Sequence, residues 1–355
     1  MQALREGIDG IDDRIQDLLV QRAELVLAVG ALKERRRDAP FYRPDREARI
    51  HRRLEARHRG PLPVAALHRI YREIISASLN LEKPLTISYL GPEAGFTHQA
   101  SIKQFGSSAT LQEVWSIDEV FHEVEIGRAN YGVVPVENST EGMVTYTLDR
   151  FSDSSLRICG EVLLPVVHHL LSREAHLDTV ERLYGHHRAL LQCRRWIDRH
   201  LPKVAVNEVN STAKALEKAR DEKRSAAIGG EYGADSYGLE VLAEHVEDFA
   251  DMENRFLVIG RQDPEPTGQD QTSLMFSFRD HPGFLHQVLG IFAQRGVNLT
   301  RIESRPSRRR AWDYNFFVDL EGHFEDVAIA DALTALTLVP GVSTRVLGSY
   351  PRPAL

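Results

Sequence analysis

Apolar residues recur at Leu4, Ile8, Ile11, Ile15, Leu18, Leu25, Val29 and Leu32, in steps of threes and fours. That rhythm predicts one amphipathic helix of about 30 residues, roughly 45 Å long. So long a stripe exceeds what its own short segment can cover, so it predicts packing against a second copy. Pro44 suits the start of a second helix carrying Arg46, Glu47, Ile50 and Leu54. Gly60-Pro61-Leu62-Pro63 ends it, and a third helix is expected from about Val64 to Leu81. The period then changes. Short apolar runs at Thr86 to Leu90, Tyr131 to Val136, Val180 to Tyr184, Val204 to Val209 and Phe256 to Ile259 alternate with helical stretches such as Gln99 to Phe105 and Lys214 to Lys223. Such alternation predicts an α/β unit of two lobes with a site between them. After a polar, proline-containing linker, Gln262 to Gln271, the order becomes strand, helix, strand, strand, helix, strand. The fold class is therefore multidomain: three all-α helices over 1–83, a two-lobed α/β domain over 85–261, and a ferredoxin-like βαββαβ domain over 270–355.

The 355 residues suffice for two or three cores. The net charge of −7 is spread over mixed signs and leaves no nucleic-acid footprint, and Arg308-Arg309-Arg310 reads as a solvated loop. Cys159 and Cys193 make neither a disulfide framework nor a CxxC metal pattern, which points to the cytosol. No apolar leader follows Met1, and no apolar run is long enough to span a membrane. The turn from Gly91 to His98 makes a plausible anion cradle, yet it has neither the Lys-Ser/Thr of a P-loop nor the spaced glycines of a dinucleotide fingerprint. No cofactor is expected. His168-His169 and His186-His187 are adjacent pairs whose side chains point to opposite faces of a strand, so no metal is expected either.

Two features carry chemistry. Arg22 interrupts the apolar stripe of the first helix, and Lys33, eleven residues on, lies about 20° round the same axis. Two cations on an apolar face are costly unless an anion binds there, or unless Arg22 snorkels or pairs with Glu24 or Glu47. The run Tyr131 to Gly142 ends in Glu137, Asn138, Ser139 and Thr140, polar groups delivered by a buried strand. These face a crevice, as at the carboxyl end of open α/β sheets, or they cap a following helix.

Leu4-Arg5, Gln21-Arg22, Leu32-Lys33 and Arg46-Glu47 resemble the all-helical chorismate mutases of bacterial bifunctional P-proteins. The resemblance implies an intertwined homodimer or higher homo-oligomer. In it Arg5 from the partner chain, Arg22 and Arg46 bind substrate carboxylates, Lys33 sits at the ether oxygen, Glu47 binds a hydroxyl and Ser78 lines the site. Chorismate is a dicarboxylate, which arginine forks clamp bidentately. Its rearrangement to prephenate needs a held conformer and a cation near the departing oxygen. One position departs from the family: Glu82 stands where an amide usually donates to that oxygen, and a glutamate donates only when protonated. A mutase that weakens as pH rises is the expectation.

The Tyr131 to Gly142 run, Leu191-Gln192-Cys193, Asn210-Ser211-Thr212-Ala213 and Asn254-Arg255-Phe256 resemble a prephenate dehydratase domain, in the P-protein order. By that resemblance Arg255 holds a carboxylate and Asn254 stands at the catalytic position. Thr97, Glu137, Asn138, Ser139, Gln192, Ser211, Thr212 and Phe256 line the cleft. Three positions depart from the family: Asn254 for the threonine implicated in hydroxyl loss, Ala94-Gly95 for a Gly-Thr or Gly-Ser, and His186-His187-Arg188 for His-Pro-Gln. Three outcomes stay open: a dehydratase using Thr97 or Ser211, a silent domain that only senses an amino acid, or a prephenate decarboxylase ending in a non-aromatic keto acid. Finally, Pro282-Gly283-Phe284-Leu285 and Glu303-Ser304-Arg305-Pro306 resemble an ACT domain, which implies phenylalanine as effector. Phe284 replaces a small residue there and is expected to narrow the amino-acid pocket or to change its preference.

Overall fold

The structure, a computed structural model, describes residues 1–34, 42–139, 142–249, 252–279, 281–307 and 314–353. Thr140, Asp280, Trp312, the loop at Pro40 and Arg308-Arg309-Arg310 lie outside the described residues. Three helices open the chain: α1 (Gln2–Glu34), α2 (Pro44–Arg57) and α3 (Val64–Glu82). Pro44 sits in the first turn of α2 with Asp45 and Glu47, where a missing N–H costs nothing and acids meet the helix dipole. The apolar stripe of α1 is uncovered, with Leu4 73% and Leu25 69% exposed. No helix among the described residues is long and apolar enough to cross a membrane.

The first lobe follows: β1 (Thr86–Leu90), α4 (Phe96–Phe105), β2 (Thr110–Val114), α5 (Ile117–Glu125), β3 (Tyr131–Asn138), β4 (Gly142–Met143), α6 (Thr145–Phe151) and β5 (Arg157–Pro165). The chain then crosses to the second lobe through β6 (His169–Ser172), β7 (Arg182–His186), α7 (His187–Gln192), α8 (Arg194–His200), β8 (Ala205–Val209), α9 (Thr212–Asp221), β9 (Ser225–Gly229), α10 (Glu231–Tyr237) and β10 (Glu240–Ala243). It returns as β11 (Glu253–Gly260). The strand orders are β2-β1-β3-β11-β5, with β4 beside β3, and β10-β6-β9-β7-β8. Glu137 and Asn138, expected in a loop, are strand residues paired across to Arg255 and Asn254. One face of the first sheet packs on α4, with Phe256 and Val258 in its core. The other face, with Val134 and Leu257, packs on α5, α6 and the last domain.

That last domain runs β12 (Asp270–Phe278), α11 (Phe284–Gln294), β13 (Leu299–Pro306), β14 (Tyr314–Glu321), α12 (Val327–Thr337) and β15 (Ser343–Pro351). Its antiparallel order β13-β14-β12-β15 is the ferredoxin-like arrangement expected from the pattern. The strand β12 begins earlier than the linker reading placed it, and Asp270 to Ser273 are buried. The domain joins the first lobe where β15 meets β5. A Cβ at Gly348 would overlap the backbone carbonyl and nitrogen of Ile158, so only glycine permits this approach. Gly348→Ala is expected to cost about 3 kcal/mol, the upper end for overpacking, because backbone cannot yield as a side chain does. Thermal unfolding reads it as a midpoint several degrees lower; an unchanged midpoint would mean the sheets do not touch there.

Candidate active sites

On the helices, Arg22 of α1 donates through Nη1 to the Ser78 hydroxyl of α3. Burial lowers the Arg22 pKa, and Arg46 nearby lowers it further against the pull of Tyr71. A cavity of about 290 Å³ is walled by Arg22, Arg46, Arg49, Arg53, Ile50 and Tyr71. Four guanidiniums around one cavity favour a polyanionic, carboxylate-bearing ligand. Arg49 and Arg53 were absent from the expected set, although they follow Arg46 at spacings of three and seven on one helix face. Lys33 Nζ lies 2.6 Å from Glu82 Oε1, so the two residues expected at the ether oxygen are each other's partners. Gly30 lets α1 and α3 close at that point, since a Cβ there would come within 2.9 Å of Glu82 Cγ.

Arg5 is exposed on α1. Seventeen residues of helix put it about 25 Å along the axis from Arg22, out of reach of its own cavity. Glu47 departs from its expected place. It is buried on a neighbouring face of α2, 2.8 Å from Arg72 Nη1, and that same Nη1 donates at 2.7 Å to the Gln104 carbonyl of α4. Burial pushes Glu47 up to about 7 against the pull of Arg72. Glu47 is thus a junction residue between the helices and the first lobe.

In the two-lobed domain, the first turn of α4 meets the second lobe at His168 and at the start of α10, and the N-terminus of α9 lies beside the end of β9. Phe96 and His168 have ring centroids 6.1 Å apart, and His98 and Tyr232 5.4 Å. Gln99 closes on Gly230, and Thr212 Cγ2 lies 3.5 Å from where a Cβ of Gly229 would be. Thr97 is buried in the first turn of α4, and Ser211 caps α9, accepting from Lys214 N at 3.1 Å. Gln192 Oε1 is 2.8 Å from His168 Nε2. Burial holds the His168 pKa below its ordinary value. His168, His98 and Tyr232 are cleft residues that the sequence reading did not assign to the substrate site. At the hinge, Asn138 Nδ2 donates to Asn254 Oδ1 at 2.7 Å, and Ser139 exchanges two bonds of 2.9 Å with Glu253.

Three expected cleft residues lie elsewhere, Arg255 and Glu137 because neighbours on a strand alternate faces. Arg255 projects away from Asn254, toward the last domain. It donates through Nε to Glu161 and through Nη2 to Asp319 Oδ2 at 2.7 Å and Tyr350 OH at 3.2 Å. Burial acts to lower its pKa, but Asp319, Tyr350 and Glu161 outweigh burial and hold it above the ordinary value. A guanidinium so engaged is not offered to a substrate carboxylate. Glu137 lies on the same side, with Oε2 3.0 Å from Arg301 Nε. Phe256 is core, 2% exposed and packed with Tyr42 and Phe105.

In the last domain, Gly283 caps α11 in the left-handed region, and Phe284 turns into the core, its ring 4.7 Å from that of Phe278, with Leu285 packed beside it. The expectation that Phe284 narrows a ligand pocket is therefore not met; its ring fills the core under the sheet. Along β13, Glu303 and Arg305 face the first lobe, with Arg305 3.3 Å from Asp149. Ser304 and Pro306 are exposed on the other side. Among the described residues no cluster of His, Cys, Asp and Glu is arranged to hold a metal.

The chorismate mutase type II family matches residues 4–83, the prephenate dehydratase family 87–264 and the ACT domain family 272–337. A bifunctional chorismate mutase/prephenate dehydratase of Aquifex aeolicus is 46% identical over 359 residues, covering 100% of this chain and 99% of the relative. One from Escherichia coli is 30% identical over 98% of this chain and 95% of its own length. The crystal structure of a prephenate dehydratase from Arthrobacter aurescens in complex with L-Phe superposes with a TM-score of 0.69 at 38% identity, over 76% of this chain and 92% of that one.

Ala94, at the first cleft loop, has a φ of 63°, and its N–H donates to His98 Nδ1 at 3.2 Å. An alanine held in this left-handed region is strained. Ala94→Gly should stabilise the protein by about 1 kcal/mol and raise its thermal midpoint by about 2–4 °C. A lower midpoint would contradict the loop geometry.

Proposed function

The chain belongs to the bifunctional chorismate mutase/prephenate dehydratase family, and on that premise we propose that it rearranges chorismate to prephenate on its helices. Its two-lobed domain then converts prephenate to phenylpyruvate, and phenylalanine bound to the ACT domain inhibits it. The observation that carries the reading is one chain holding both an arginine-walled cavity on its helices and a cleft where the first turn of α4 meets the second lobe.

In the mutase step Arg22 and Arg46 hold the substrate dicarboxylate in its reactive conformer, and Lys33 faces the ether oxygen as negative charge grows there. Arg5 comes from a second copy. The exposed stripe of α1 and the distance from Arg5 to Arg22 both support a homodimer or larger oligomer. In the dehydratase step the ring gains aromaticity as carbon dioxide and the hydroxyl leave, and the hydroxyl takes up one proton to depart as water. With Arg255 engaged elsewhere, the N–H groups and hydroxyls at the starts of α4 and α9 (Thr97, Ser211 and Thr212) receive the carboxylates. Gln192 and Asn138 complete the cleft, and Asn254 puts an amide where the family has a threonine hydroxyl. A cytosolic location suits two buried, unpaired cysteines. Domain limits of 1–83, 85–261 and 270–355 are part of this reading.

Purified protein given chorismate and quenched without acid should yield phenylpyruvate. A non-aromatic, decarboxylated keto acid would instead make the middle domain a decarboxylase, and accumulated prephenate would make it silent. Asn254→Thr should speed phenylpyruvate formation on the order of tenfold, since a positioned proton donor contributes at least that much. For the mutase, Glu82→Gln, which puts a permanent amide donor at the ether oxygen, should raise turnover about tenfold, the worth of one hydrogen bond near 1.4 kcal/mol. Unchanged or lower turnover would end the role given to Glu82.

A further inference from the structure

Behind the asparagine pair, Asn138 with Asn254, lies a set of charges drawn from two domains. Arg255 of β11 is bonded to Glu161 of β5 and Asp319 of β14, with Glu137 Oε2 3.9 Å from its Nη1. Arg301 of β13 reaches into the same set. Its Nε is 3.0 Å from Glu137 Oε2, and its Nη1 is 3.8 Å from Glu161 Oε1 and 3.7 Å from Asp319 Oδ2. Ser273 Oγ donates to Asp319 Oδ1 at 2.6 Å and bonds Tyr350 OH at 2.9 Å. A cavity of about 190 Å³ opens beside these groups between the two sheets.

Three carboxylates here face two guanidiniums, so each guanidinium balances more than one acid. Without Arg301, Glu137 would keep only the 3.9 Å approach of Arg255. Glu137 adjoins Asn138 in the chain and pairs across the ladder with Arg255, whose own neighbour is Asn254. Any relaxation of Glu137 therefore moves the Asn138–Asn254 bond at the cleft. Arg301 is also the one member of the set carried on β13, two residues before Glu303 of the effector motif.

We propose that Arg301 is a positioning residue for the dehydratase reaction: from the ACT domain it holds Glu137, and through the β3–β11 register it fixes Asn138 and Asn254 at the cleft. This inference rests on the dehydratase reading above.

The test uses the full chain as wild type, Arg301→Ala and Arg301→Lys. Arg301→Ala should lower dehydratase kcat on the order of tenfold to a hundredfold, the scale of a small misplacement. Its KM for prephenate should stay within about twofold and its mutase turnover should be unchanged, because bound substrate and the helical site do not touch Arg301. Arg301→Lys should restore part of kcat. Backbone amide exchange at Asn138 and Asn254 should quicken in Arg301→Ala, while Leu274 in the ACT core stays protected. Unchanged kcat, or unchanged exchange at the two asparagines, overturns the proposal. So does a loss of mutase and dehydratase turnover in parallel, the mark of general unfolding. A wild type that forms no phenylpyruvate defeats the dehydratase reading instead, and the exchange comparison then judges Arg301 alone.

Discussion

Arg255 takes its carboxylate partners from strands of two different sheets: Glu161 from β5 and Asp319 from β14, with Glu137 of β3 close by. Between side chains this buried, removing one partner of such a set costs about 3–5 kcal/mol, far more than an exposed ion pair. The set therefore fixes how the ACT sheet sits on the first lobe, and the apolar core follows suit. Phe317, Leu347 and Tyr350 of the last domain share one cluster with Val134, Ile158 and Leu257 of the first lobe. Two domains joined by a continuous core and a closed charge set move as one body or shift as a whole. That is the mechanical condition for an effector on one to be felt by the other.

The helical domain obeys a different constraint. Its cations line a cavity that one chain leaves open, and its longest helix shows an uncovered apolar face. The apolar face of α1 finds no cover within one chain, whereas the two-lobed domain closes its own cores there.

The elements were largely legible in the sequence because their periods are strong: β1 begins and ends where its apolar run does, α1 follows its heptad-like stripe, and the βαββαβ order stands in the pattern. The helical site was legible as far as Arg22, Ser78, Lys33 and Glu82, whose pairings follow from helix faces. What failed was direction. Motif residues next to one another in a strand were assigned to one cleft, yet the pleat sends Asn254 one way and Arg255 the other. Glu137 followed Arg255, and Glu303 and Arg305 likewise turned from the effector edge to the first lobe. The ring of Phe284 is core rather than pocket, because a sequence shows an aromatic's size and not its rotamer. Nothing in sequence spacing announces partners as distant as Arg255 and Asp319.

Tyr42 precedes the second helix, yet its ring is buried in the first lobe, 5.1 Å from Phe105 and 5.0 Å from Tyr131, with its hydroxyl bonded by Gln104 at 2.7 Å. Arg43, Arg49 and Arg52 beside it grip the segment from Glu265 to Gln269 that leads into the last domain. The seam between two catalytic units in the chain is thus no seam in the folded molecule. Tyr42 is a plug from the helical segment in the wall of the first lobe, so a chain cut ahead of β1 would bare the rings of Phe105 and Tyr131 and release the strap of Glu265 to Gln269 from its arginines.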